Sequence, residues 1–190
     1  MKRSEINELA NAATQCWEAH GWTLPPNPRW DMTDFGLGDG TRYGLVLLNL
    51  AEEVEYCEKL MYARQGMTTP SHCHAQKKED IICRWGRLRI QLWPGKPDES
   101  AGKTSRVQIN NEMREFTAGD VVVLDAGERI TMRQGLYHEF APETPECIIG
   151  EVSTANDDEH DNYFADPKVD RASPIQEDEP AKVRLVWERS

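Results

Sequence analysis

Apolar side chains recur at helical spacing near the start of the chain and at every second position, or in short runs, from residue 43 onward. Ile6, Leu9, Ala10, Ala13 and Trp17 fall on one helix face, with Ser4 placed to cap it and Asn7 at the third helical position. The pattern predicts a helix over residues 5–19. His20-Gly21-Trp22 ends it, and Pro25, Pro26 and Pro28 cannot continue it because proline lacks the backbone donor. An extended arm follows, leading to the turn cluster from Gly36 to Gly40.

Beyond Tyr43 the spacing changes to that of strands. Alternation is clearest in Arg87-Leu88-Arg89-Ile90-Gln91-Leu92-Trp93 and in Arg106-Val107-Gln108-Ile109. Strands are expected at 44–50, 54–63, 80–85, 87–93, 104–110, 113–117, 121–124, 129–133 and 146–153, with a last one near 183–188. Many short, closely spaced strands predict an all-β sandwich or barrel. The expected organisation is one domain over 1–190, with a helix and arm in 1–42 and a barrel in 43–190. Pro94 to Ser100 reads as a long, polar, mobile hairpin loop, and Gln176 to Pro180 as a solvated acidic loop without a function.

Charge narrows the partners. With 22 Lys+Arg against 33 Asp+Glu the net charge is -11, which disfavours nucleic acid and anionic membrane surfaces alike. The longest apolar run, Leu45 to Leu48, falls far short of the roughly 20 residues that cross a bilayer. Met1-Lys2-Arg3 leads directly into Ser4-Glu5-Ile6-Asn7-Glu8 without an apolar signal core, so a cytoplasmic location is expected. Cys16, Cys57, Cys73, Cys83 and Cys147 form no CxxC pair and read as small buried residues rather than a disulfide framework.

Three of the five histidines sit within the β region. Side chains at i and i+2 of a strand share a face, so His72 and His74 converge while Cys73 points away. A short turn through Ala75-Gln76-Lys77-Lys78 can return the Glu79 carboxylate to that face, and His138 can reach it from a facing strand. Three imidazoles and one carboxylate, with positions left for water, suit Mn, Fe, Co, Ni or Zn. His20 and His160 have no ligand spacing and read as surface residues.

Gly66, His72, His74, Glu79 and Gly86 together form G-x5-H-x-H-x4-E-x6-G, which resembles the first metal-binding motif of the cupins. A second cupin-like segment runs from Gly119-Asp120 to His138, although His138 stands eleven residues after Gly127 rather than three. The resemblance implies a cupin-type β-barrel, or jelly roll, behind the N-terminal helix. Ile130-Thr131 through Gly135, Tyr137-His138 and Phe140 are similar to the I-T-x-x-x-G-x-Y-H-x-F segment of the D-lyxose isomerase family. Lys77-Lys78-Glu79-Asp80-Ile81-Ile82 matches that family's K-x-E-D-I-I, and Gly150 to Asp158 with Asp161-Asn162-Tyr163-Phe164 forms a third match. The resemblance implies a metal-dependent aldose–ketose isomerase, acting on D-lyxose and D-xylulose and on D-mannose and D-fructose through a cis-enediol, most often with manganese.

The residues suit that chemistry. Moving hydrogen between C1 and C2 needs a base beside a carbonyl and a group to hold enediolate charge. Glu151, at the end of a strand and not needed as a ligand, is the expected base, and Lys77 is expected to donate to a sugar oxygen. Trp30 and Phe140 are candidates to line the pocket, and Asn156 and Asp161 to bind sugar hydroxyls. Asp157, Asp158 and Glu159 alternatively form an exposed acidic loop with Asp161. An iron-dependent dioxygenase and a non-catalytic sugar-binding cupin remain alternatives on the same ligand set. The arm from Thr23 to Trp30 is long enough to reach a neighbour, so a homodimer is expected.

Overall fold

The protein is described from a computed structural model that covers residues 1–158, 160–171 and 174–188. Helix α1 spans Arg3–Ala19. Strands follow as β1 (Arg29–Thr33), β2 (Leu45–Glu52), β3 (Tyr56–Arg64), β4 (Thr69–Cys73), β5 (Glu79–Trp85), β6 (Arg87–Trp93) and β7 (Thr104–Ile109). Then come β8 (Glu112–Thr117), β9 (Val121–Asp125), β10 (Arg129–Met132), β11 (Tyr137–Pro142), β12 (Glu146–Thr154) and β13 (Tyr163–Phe164). Among the described residues they make two antiparallel sheets, ordered β1-β2-β3-β12-β5-β10-β7-β8 and β13-β4-β11-β6-β9.

The helix starts two residues earlier than its spacing predicts. Lys2, not Ser4, occupies the cap position, and the Glu5 carboxylate accepts from the Lys2 N–H at 2.7 Å. Ser4 is capped from outside: Asp178 accepts its N–H at 2.9 Å and its hydroxyl at 2.7 Å. The acidic loop therefore has a role. Buried Arg3 and Asn7 find part of their partners there: Glu177, with Glu188 further along, holds the Arg3 guanidinium, and Glu179 accepts from Asn7 at 2.6 Å.

The arm is not free either. Arg29–Thr33 pairs with β2 in register Asp31↔Leu47, so the larger sheet takes in part of the segment expected as an arm. Pairing alternates its faces: Trp30 and Met32 turn toward α1, where Trp30 stacks on Trp17 with centroids 5.6 Å apart, and Asp31 and Thr33 turn inward. No strand forms at 183–188. Leu185 makes a single bridge to Trp30, because the Glu188 carboxylate accepts the Leu185 N–H at 2.6 Å and curls the chain back. The Pro94–Ser100 loop is anchored by fully buried Ser100, whose hydroxyl donates to the Lys96 carbonyl at 2.7 Å.

Register sets what the interior contains. Met61 on β3 and Ile149 on β12 pair directly, as do Lys59 and Glu151 two residues on, and Glu151 in turn pairs with Ile81 on β5. Inward positions are thus apolar at one level and charged at the next. The smaller sheet closes over this charged level with β4 and β11, whose register places His138 directly opposite His72.

Candidate active site

The two sheets enclose a small cavity of about 40 Å³ that opens to solvent. His72, His74 and His138 stand at one side of it, all buried. Each ring is held by its Nδ1: His72 to the Pro70 carbonyl at 2.8 Å, His74 to the Asp161 carbonyl at 2.7 Å and His138 to the Leu136 carbonyl at 3.1 Å. A carbonyl only accepts, so each Nδ1 carries the hydrogen and each Nε2 offers a lone pair. The ligand atoms of the three rings lie within 4.8 Å of one another.

Glu79 adds a carboxylate oxygen to the same point. Its Oε1 is 3.1 Å from His138 Nε2 and 3.5 Å from His74 Nε2, and all three atoms are buried without a hydrogen-bond partner. No hydrogen stands between these acceptors, which is the arrangement a cation requires. Protonating the rings does not resolve it for His72: burial, reinforced by His138 and His74, pushes its pKa well below the ordinary value. The cluster can hold a metal ion.

Behind Glu79 runs a row of alternating charge. Lys77 Nζ lies 2.9 Å from Glu79 Oε2 and 3.0 Å from Glu151 Oε1. Burial alone would strip the Lys77 proton, but the Glu151 and Glu79 carboxylates outweigh it and raise its pKa. Glu79 is the converse case, in which burial favours the neutral acid and the Lys77 charge and His74 hold it well below the carboxylate range. Lys59 Nζ lies 4.0 Å from Glu151 Oε1, 3.2 Å from Asp158 Oδ2 and 3.2 Å from Asn156 Oδ1. Arg171, beyond Asp158, pairs with Asp31.

The family model for D-lyxose isomerase matches residues 27–188. The chain belongs to the D-lyxose isomerase family. Among relatives, the D-lyxose/D-mannose isomerase of Escherichia coli O157:H7 is 36% identical over 99% of this chain and 98% of its own. The D-lyxose ketol-isomerase of Cohnella laeviribosi is 29% identical over 94% of this chain and 100% of its own. The fold is also that of the L-ribose isomerase of Cellulomonas parahominis, solved with L-ribose, at TM-score 0.68 and 18% identity over 93% of this chain and 98% of that one. The L-ribose isomerase of Geodermatophilus obscurus gives TM-score 0.68 at 17% identity, over 93% and 98% of the two chains. The architecture is cupin-type, and membership of the D-lyxose isomerase family makes the protein a sugar isomerase.

In this D-lyxose isomerase family member the cavity brings together His72, His74, Glu79, His138, Lys77, Glu151 and Phe140. It does not bring in Trp30, which belongs to the packing under α1. Asp161 is buried and supports the backbone: its carboxylate accepts the N–H groups of Ala75 at 2.8 Å, Gln76 at 3.1 Å and Lys77 at 2.8 Å. That pins the turn between His74 and Glu79, while the Asp161 carbonyl orients His74. Asn156 accepts from Lys59, and Asp158 is drawn inward rather than exposed; Glu159 lies outside the described residues. His160 is exposed beside Asp157, whereas half-buried His20 packs at a tilt against Trp85 with centroids 3.9 Å apart.

Lys59, Arg171, Asn162 and Phe164 also line the cavity; Asn162 and Phe164 fall in the third family-like segment, whereas no motif points to Lys59 or Arg171. Lys59 left a signal: it shares strand parity with Cys57 and Met61, both buried, so a lysine there faces the interior. Arg171 left none, because it sits in irregular chain.

Proposed function

We propose that the protein interconverts D-lyxose with D-xylulose and D-mannose with D-fructose through a cis-enediol, using a divalent cation held by His72, His74, His138 and Glu79. The observation that carries this reading is the convergence of buried, unpartnered Nε2 and Oε1 atoms directly beside the Lys77–Glu151 pair. A divalent ion bound there would supply Lewis-acid stabilisation to the sugar oxygens, and manganese is the first candidate, with Co, Fe, Ni and Zn behind it.

The remaining chemistry lies with the chain's own groups. The Glu151 carboxylate takes the proton from C2 of the open-chain aldose, the C2–H electrons form the C1=C2 bond, and charge moves onto O1. Lys77, held cationic by its two carboxylates, stabilises that charge as the hydroxyl proton passes from O2 to O1. Glu151 then returns its proton to C1, leaving the ketone at C2. Phe140 and Phe164 give the sugar an apolar surface and keep water from the enediol.

Metal-stripped protein should form ketose from D-lyxose and D-mannose only after Mn²⁺ is restored, and Glu151→Gln should abolish turnover while metal still binds. Metal bound without ketose from either sugar would sink the reading and favour an oxygenase or a binding protein. A homodimer in the cytoplasm completes the proposal, and sedimentation at the single-chain mass at micromolar concentration would reject the dimer. Among the described residues, no helix is long and apolar enough to cross a membrane.

A further inference from the structure

A groove of about 760 Å³ lies apart from the catalytic cavity and shares no lining residue with it. It opens where the larger sheet parts. β8 pairs with β7 along the whole of Thr104–Ile109, whereas β10 pairs only with Gln108 and Ile109 and ends at Met132. The 104–107 edge of β7 is therefore left without a strand, and some of its amide N–H groups point away from β8. Val107 and Leu136, both buried, form an apolar floor.

The charged side chains of this groove have one sign. Arg106 and Arg133 line it, and no carboxylate does. Neither guanidinium has an ion pair or a hydrogen bond among the described residues, whereas Arg114 and Arg129 on the flanking strands have carboxylates at 3.6 Å and 3.3 Å. Asp80, the register partner of Thr131, is the carboxylate that Arg129 holds. Thr131 itself is only 8% exposed, yet its hydroxyl is not shut off from water and has no hydrogen-bond partner among the described residues. Register sets it beside Gln108 on the groove's face of the sheet. Two free guanidinium groups and an unpartnered, nearly buried hydroxyl are all donors, gathered on a chain of net charge -11. An anion with several acceptor oxygens answers them together.

We propose that this groove is a second ligand site, which binds the phosphoryl group of a small phosphate ester. Arg106 and Arg133 take its oxygens through paired N–H groups, Thr131 donates to another, and the organic part lies on Val107 and Leu136. The site stands independently of the sugar assignment. It also adjoins the metal-binding cluster through the chain: after Arg133, the Gly135 N–H donates to the His74 carbonyl at 2.8 Å and the Leu136 carbonyl accepts from His138 at 3.1 Å. An occupant of the groove thus rests on the segment that braces two of the histidines.

Calorimetric titration of the full chain at low ionic strength, with and without Mn²⁺, tests this with three probes: inorganic phosphate, sn-glycerol 3-phosphate and glycerol. Wild type should bind both phosphates saturably and the ester more tightly, with or without the metal, and should not bind glycerol. Arg106→Gln/Arg133→Gln should weaken both phosphates by at least ~10-fold, and Thr131→Val by roughly 3–10-fold. Both arginines are exposed, so their variants should melt with wild type. Arg106→Lys/Arg133→Lys keeps the charge without the planar fork and should also lose affinity. A lysine pair that binds like wild type would reduce the groove to a positive patch and overturn the site. Binding that requires Mn²⁺, or that survives the glutamine pair, would place the anion elsewhere and overturn it too. Equal affinity for the two phosphates would assign the groove to free phosphate and overturn the ester. An acidic peptide bound where neither phosphate binds would make the open β7 edge a peptide dock instead.

Discussion

Replacing Lys59 by methionine keeps the side chain's apolar stem and removes its buried charge. In the wild type its ammonium satisfies Asn156 Oδ1 at 3.2 Å and Asp158 Oδ2 at 3.2 Å, and stands 4.0 Å from Glu151. Burial disfavours that charge, yet the Glu151 and Asp158 carboxylates more than offset the effect and its pKa rises. Losing one partner of such a pair leaves uncompensated carboxylates, which costs about 3–5 kcal/mol. Asp158 keeps 28% of its side-chain surface in water, so the lower end applies, about 3 kcal/mol. For a chain of this size that lowers Tm by roughly 6–12 °C. Urea unfolding of Lys59→Met, Asp158→Asn and the double variant measures the pair directly, and the coupling energy should reach about 1–2 kcal/mol. A Lys59→Met protein within about 0.5 kcal/mol of wild type would refute the idea that this row is held by mutual compensation.

The same pair predicts acid sensitivity. Lys59 and Arg171 hold the Asp158 carboxyl below the usual carboxylate range against the opposing effect of burial, so its stabilisation is present above the unfolded pKa, about 4, and is lost as pH falls through the lower folded value. Unfolding followed below pH 4 should therefore be steeper in wild type than in Lys59→Met. Asp161→Ala should cost about 2–3 kcal/mol by releasing three amide hydrogens, and should weaken metal binding measured by calorimetry, since the 75–77 turn would no longer be pinned. Trp30→Ala should cost about 3–5 kcal/mol in denaturant yet leave kcat/KM of the folded enzyme unchanged, whereas Phe140→Ala should raise KM. Gly86→Ala should destabilise by about 2–4 kcal/mol in thermal melts, because φ there is +82° and a Cβ would lie 2.4 Å from Thr144 Oγ1 and 2.6 Å from the Glu146 carbonyl.

The part of the site that sequence made legible is the part built from local geometry. His72, His74 and Glu79 lie within eight residues, and strand parity with one turn is enough to converge them. His138 required the recognisable run around it, because β10 is inserted between Gly127 and the histidine and stretches the spacing. The opposite wall was not legible. Asp31 meets Arg171 across 140 residues, and no local pattern connects a strand hidden in a proline-rich arm to a residue in irregular chain. Trp30 shows the limit of composition: an aromatic beside an apolar strand reads equally as pocket or core, and only pairing with β2 turns it toward Trp17. The acidic segment read as solvated because its partners, Arg3, Ser4 and Asn7, lie at the other end of the chain.

That last contact has a consequence for the order in which the molecule assembles on the ribosome. Helix α1 emerges before every strand, but the carboxylates that cap it and neutralise Arg3 belong to residues 177–188, with sequence separations of 174 and 185. Until that segment clears the exit tunnel, the helix offers an apolar face and a cation with no partner, and the wall containing Arg171 is open. The nascent chain can pair β2 with β3 early, yet it cannot finish its cavity until residues 171–188 have emerged. Activity should thus appear only once residues 171–188 have been made, and a chain stalled before residue 171 should hold the histidines without a working enzyme around them.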